Sequence, residues 1–152
     1  MKIEDLEVAS EAQAIAAQLI KENPDDLSHL RNVKIAYFLL LKPSRSKGEL
    51  VKAKAKLHGD LERFIHESDV VASIFIDAGY WKDCPDHREP LLFHNLLKLW
   101  FDDEKGTFTL RAPGIIEFPE VVRKFGDWEG TFRPVRHSIN GEQGRLFGGG
   151  ED

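Results

Sequence analysis

The sequence predicts an α+β domain in which a small mixed sheet packs on one strongly apolar central helix. Three observations carry that prediction. Apolar residues recur at helical spacing through Pro85–Asp103, at Leu92, Leu96, Leu97 and Trp100. Val33–Leu41 and Val70–Ile76 are short runs rich in β-branched and aromatic residues, which suits buried strands. Turn-forming clusters, Lys42–Gly48 and Asp77-Ala78-Gly79, follow those two runs and end them.

Composition sets the outer bounds. A chain of 152 residues reads as one domain over 1–130, followed by an irregular, partly disordered tail over 131–152. A hydrophobic share of 41% with 31% charged residues fits a soluble globular protein. No apolar run approaches the roughly 20 residues that span a bilayer, so no membrane partner is expected. The acidic start, MKIEDLEVASEAQ, lacks a signal peptide's basic and apolar regions. Together with a single cysteine, Cys84, this predicts a cytoplasmic protein without a disulfide framework. The net charge of -5 favours solubility and speaks only mildly against bulk nucleic-acid binding.

In chain order, Ser10-Glu11-Ala12-Gln13 has the capping-box form, with Ser10 as N-cap. A first helix follows, with Ala12, Ile15, Ala16, Leu19 and Ile20 on one face, and it ends at Asn23-Pro24. After the Val33–Leu41 strand and the basic turn, Val51, Ala53, Ala55 and Leu57 alternate with Lys52, Lys54, Lys56 and His58. Such alternation reads as an edge strand, because edge lysines oppose strand-to-strand aggregation. His58–Asp69 is a connector that Phe64 and Ile65 are expected to anchor in the core. Beyond Val70–Ile76, Tyr80-Trp81 leads into the central helix. Thr107–Leu110 reads as a further strand and Pro113-Gly114 as a break. Ile115–Phe125 reads as a last helix, with Pro119 in its first turn and Gly126 as C-cap.

The central helix carries the main functional clue. A zinc-protease helix presents His-Glu-x-x-His, two imidazoles one turn apart for the metal and a glutamate for its water. Here the same register reads His94-Asn95-Leu96-Leu97-Lys98. Asn95 cannot take a proton from water, and the Lys98 cation repels a divalent ion one turn away. Of the other histidines, His29, His58, His66, His87 and His137, none forms an i, i+4 pair near His94. Cys84 precedes Pro85 without a partner pattern and reads as an ordinary thiol. Gly148–Gly150 lacks the helix and Lys-Ser/Thr of a phosphate loop.

The ordered pieces Ile35-Ala36-Tyr37-Phe38, Lys52-Ala53-Lys54, Asp69–Trp81, Arg88–His94 and Glu117–Gly126 resemble the phage metallopeptidase family over roughly residues 10 to 130. The resemblance implies a minimal zincin-like fold, a small sheet on a metal-binding helix reading Arg-Glu-Ala-Leu-Leu-x-His-Glu-Leu-x-His. Of the implied metal positions only His94 matches. Asn95 stands at the general base and Lys98 at the second ligand, and an expected His-Asp pair falls at Pro113-Gly114. Pro90 stands where the family has alanine, so the helix starts near Glu89 or kinks there.

These substitutions lead to the expectation of a protein that is no enzyme, holds no metal or other cofactor, and acts by binding a host protein. An inhibitor of bacterial defence, of the anti-CRISPR or anti-restriction type, is the specific form of that expectation, by analogy with a phage source. Asp83, Asp86, Glu89, Asp102, Asp103 and Glu104 bracket the central helix and offer a phosphate-like surface to a nucleic-acid-binding defence complex. Two alternatives stand beside it. One is a metal-dependent hydrolase with rearranged ligands. The other is a nucleic-acid binder using a basic face of Lys42, Arg45, Lys47, Lys52, Lys54 and Lys56.

Overall fold

The computed structural model, which describes residues 2–112 and 117–129, combines strands and helices along the chain. They are β1 (Leu6–Val8), α1 (Ser10–Glu22), α2 (Pro24–Leu27), β2 (Lys34–Leu40), β3 (Arg45–Ser46), β4 (Glu49–Leu50), β5 (Ala53–Leu57) and α3 (Asp60–Ile65). There follow β6 (Val70–Asp77), α4 (Ala78–Asp83), α5 (Arg88–Lys98), β7 (Leu99–Asp102), β8 (Thr107–Leu110) and α6 (Pro119–Phe125). The predicted tail and the Pro113-Gly114 break lie outside the described residues.

The main sheet has the order β1-β2-β6-β5. β2 and β6 run parallel at its centre, while β1 and β5 flank them antiparallel. A mixed sheet results, as expected for an α+β fold. Alternation places Ile35 and Tyr37 of β2 with Ala72, Ile74 and Ile76 of β6 in one core with α1 and α5. That core takes Ala12, Ala16 and Leu19 from α1 and Leu92, Leu96 and Leu97 from α5. Leu92, Leu96 and Leu97 are fully buried, and each completely buried leucine contributes about 1.5–3 kcal/mol of hydrophobic stabilisation.

Several expectations are corrected by local physics. Ser10 is the first helical residue and makes no capping bond. Ala9 is the N-cap, and its carbonyl accepts from Gln13 N at 3.0 Å. The basic turn contains the short β3–β4 hairpin. Lys47 (φ 53°) and Gly48 (φ 83°) both adopt the left-handed region that its tight turn requires. Tyr80-Trp81 forms a helix of its own, α4, because the Asp77 carboxylate caps it by accepting from Tyr80 N at 2.9 Å.

The largest correction concerns Pro85–Asp103. The α-helix runs only from Arg88 to Lys98, and Leu99 switches to extended backbone. From there Leu99–Asp102 pairs with Thr107–Leu110 in a separate two-stranded sheet. Lys98 O accepts from Arg111 N at 2.7 Å, and Leu99 O accepts from His29 Nε2 at 2.6 Å. These bonds, together with the ladder, hold Leu99 and the following apolar residues outside the helix. Pro90 lies in the first turn, where its missing N–H is not needed, and α5 accommodates it from its start at Arg88. Likewise, α6 begins at Pro119 after the N-cap Phe118, and Gly126 ends it with φ 68°. Phe64 and Ile65 do not anchor the connector. They stand exposed on α3, a helix with no buried residue.

Candidate functional site

His94 projects from the middle of α5 toward the segment that enters α6. Its Nδ1 donates to Glu117 Oε1, and its ring lies 5.1 Å from that of Phe118. The His94 side chain is 18% exposed and that of Glu117 only 4%. Burial alone would raise the Glu117 carboxyl. Hydrogen bonds from His94, from the Phe118 N–H (2.9 Å) and from Trp128 Nε1 (3.2 Å), together with His94's charge, outweigh that and hold it below the usual range. Glu117 is therefore an ionised acceptor that holds a proton on His94 Nδ1. In the neutral tautomer this favours, the lone pair is on Nε2, which has no partner among the described residues.

Asn95 and Lys98 sit differently. Asn95 is buried, and its Nδ2 donates back to Leu91 O at 2.9 Å. Its Oδ1 has no partner among the described residues. Lys98, one turn after His94, is half-buried. Burial lowers its pKa, against the opposing pull of the Glu117 charge. A string of contacts leads away from Glu117. Trp128 stands edge-on to His87 (ring centroids 5.3 Å), and His87 Nδ1 hydrogen-bonds the Tyr80 hydroxyl at 2.7 Å. Burial, then the charges of Glu129 and Cys84, push the Tyr80 hydroxyl up to about 12. Lys52 lies over the Tyr80 ring at 5.3 Å and pairs with Glu129. The site and the start of β5 are thus one connected neighbourhood.

The remaining predicted residues fall in separate places. Asp83, Asp86 and Glu89 are exposed around the start of α5. Asp102, Asp103 and Glu104 lie beyond its other end, past an 11-residue helix of about 16 Å. Asp102 also holds its turn, with Oδ1 accepting from Glu104 N at 3.0 Å and Lys105 N at 3.2 Å. Lys42, Arg45 and Lys47 are exposed near the β3–β4 hairpin, with Lys42 3.6 Å from Asp5. Lys54 and Lys56 share the outer face of β5, where Lys54 lies 5.7 Å from the Phe75 ring centre. Lys52 belongs instead to the Tyr80 cluster.

Among the other histidines, His29 donates to Leu99 O, His58 meets the buried Ser73 hydroxyl at 2.7 Å, and His66 is exposed. His137 lies outside the described residues. Glu117 is the site residue that sequence reasoning missed. Its signal was a carboxylate placed directly before Phe118-Pro119 in an apolar stretch, which needs a buried partner.

The profile of a family described as "putative phage metallopeptidase" matches residues 4–136, and the chain belongs to that family. No curated protein and no solved structure matches it. Membership in a peptidase family overturns the expectation, drawn from Asn95 and Lys98, that the chain is no enzyme. The replaced motif positions describe how this member departs from a pattern; they do not remove it from the class.

The metal that the family's description implies finds a partial fit. His94 Nε2, backed by a carboxylate on Nδ1, has the arrangement in which imidazoles ligate metals. Glu117 already accepts from three donors, Asn95 is turned into its own helix, and Lys98 is a cation. Among the described residues no three His, Cys, Asp or Glu side chains gather into a metal site. The described residues therefore do not complete a ligand set. Among them, no helix is long and apolar enough to cross a membrane.

Proposed function

We propose that the protein works on a host protein as a peptide hydrolase, with His94 as its proton-handling group. The observation that supports this is the His94–Glu117 pair, which orients the ring, holds a proton on Nδ1 and leaves Nε2 without a partner among the described residues. β5 is the terminal strand of the main sheet, so an extended peptide segment can add along it as a further strand. Nε2 takes a proton from the attacking water and returns it to the leaving amide nitrogen. Lys98 supplies positive charge near the oxyanion that forms between those steps. In its narrower form, the host target is a component of bacterial defence, and the exposed acids around α5 contribute to its recognition.

The test is to expose an extract of host cells to the full chain and to its His94→Ala variant, then map new protein N-termini by mass spectrometry. Removing a positioned acid–base group costs about 100-fold or more, so new termini should appear with the parent chain and nearly vanish with the variant. Identical termini from both proteins, or none from the parent, would sink the proposal. Phage plating on host strains with and without a defence system checks the narrower form.

A further inference from the structure

The helix α3 has its apolar residues on the wrong side for a core. Leu61, Phe64 and Ile65 recur at i, i+3 and i+4, the spacing of one helical face, yet they are 71%, 78% and 62% exposed. Scattered exposed apolar residues need no explanation, but three large ones on a single face form a patch. This patch lies at the Leu57 end of β5, away from Lys52 and the cluster that leads to His94.

Its surroundings have a definite charge. Asp60, Glu62, Glu67 and Asp69 border the face, against Arg63 and Lys34. Arg63 pairs with Asp60 at 3.6 Å, Lys34 with Asp69 at 3.3 Å, and His58 Nδ1 lies 3.6 Å from Glu62, so the rim is net acidic with four acids against Arg63 and Lys34. Beside Phe64 lies a shallow hollow of about 520 Å³, lined by Asp60, Arg63, Phe64, Glu67, Ser68 and Asp69. An aromatic side chain next to an acidic hollow suits a cation carried on an apolar stem.

We infer that the Leu61–Phe64–Ile65 face of α3 docks a partner protein through a basic amphipathic segment, whose apolar stripe covers the face and whose Lys or Arg side chains meet the acidic rim. Charge complementarity selects this occupant. A second copy of the chain, paired face to face, would bring two net-acidic rims together, and an anionic lipid surface would meet the same net repulsion. The inference is independent of the proposed hydrolysis, because the docking face and His94 are separate.

Fluorescence anisotropy on the full chain tests it with three synthetic helical peptides. One carries a leucine stripe flanked by lysines, one the same stripe flanked by glutamates, and one lysines with serines in place of the stripe. The first should bind at least about tenfold more tightly than the other two. The double substitution Leu61→Ser with Phe64→Ser should weaken it by at least about tenfold while leaving the melting temperature nearly unchanged. Charge reversal by Asp60→Lys with Asp69→Lys should transfer preference to the glutamate-flanked peptide. Equal binding of the lysine peptides with and without the stripe would overturn the inference, as would indifference to both sets of substitutions. So would a large loss of stability in the serine variant, which would make these residues core. Sedimentation of the parent as a dimer that the serine variant breaks would assign the face to a second copy instead.

Discussion

The helices α5 and α3 carry the same kind of apolar spacing and meet opposite fates. In α5, Leu92 and Leu96 stand one turn apart and are wholly buried between the sheet and α1. In α3, Leu61 and Ile65 have the same spacing and face water. Periodicity defines a face; what covers it depends on which other elements the chain brings alongside. α5, eleven residues long and reached from β6 through α4, packs into the core against the sheet and α1. α3 has only six residues, in the short connection between β5 and β6, and it buries none of them.

The sharpest test of this contrast is Leu96→Ala. It should cost about 2–5 kcal/mol in urea unfolding, since a fully buried leucine leaves a cavity. A loss under about 1 kcal/mol would mean that α5 is not the core helix.

A smaller, pH-dependent effect is expected at Glu117, which ties α5 to α6. Its folded pKa lies below the ordinary glutamate value of 4.5. The stability it contributes is therefore fully present above that value and is lost as pH falls through the lower, folded one. Glu117→Gln should be less stable than the parent near neutral pH, with the gap closing under acid conditions. Thermal melts across that range measure it, and a gap that widens in acid would refute the assignment of Glu117 as an ionised acceptor.

The smallest effect belongs to α3. Phe64→Ser should change unfolding free energy by no more than about 0.5 kcal/mol, as for exposed positions free of special contacts. Comparable losses at Phe64 and Leu96 would erase the distinction between the two helices.

The sequence exposed some of this and hid the rest for identifiable reasons. β6 was legible because an apolar run bounded by turn residues has few alternatives to a buried strand. The end of α5 was not. Leu99, Trp100 and Phe101 continue the apolar spacing past Lys98, and no glycine or proline marks the stop. The termination comes from pairing with Thr107–Leu110 and from His29, 70 residues upstream of Leu99. The exposure of Phe64 was equally hidden, since an aromatic in a connector reads as an anchor. At the site, His94 was found from its motif register. Glu117 lies 23 residues away and becomes its partner only once α6 folds back on α5.

The parallel pairing of β2 with β6 has a consequence for how the chain reaches its native state. β5 and β6 are joined through α3 and can zip up as neighbours. The central β2–β6 ladder must instead bring Lys34 beside Val70 and Leu40 beside Asp77 across the whole intervening segment. That segment includes the β3–β4 hairpin, β5 and α3, so the two strands meet only at a substantial loop-closure cost. Joining of these two halves, with the β1–β2 pairing that closes over α1 and α2, should set the pace of folding, while β5–β6 forms between nearer neighbours. A nascent chain will therefore display β2 without its parallel neighbour for the interval before β6 has been made.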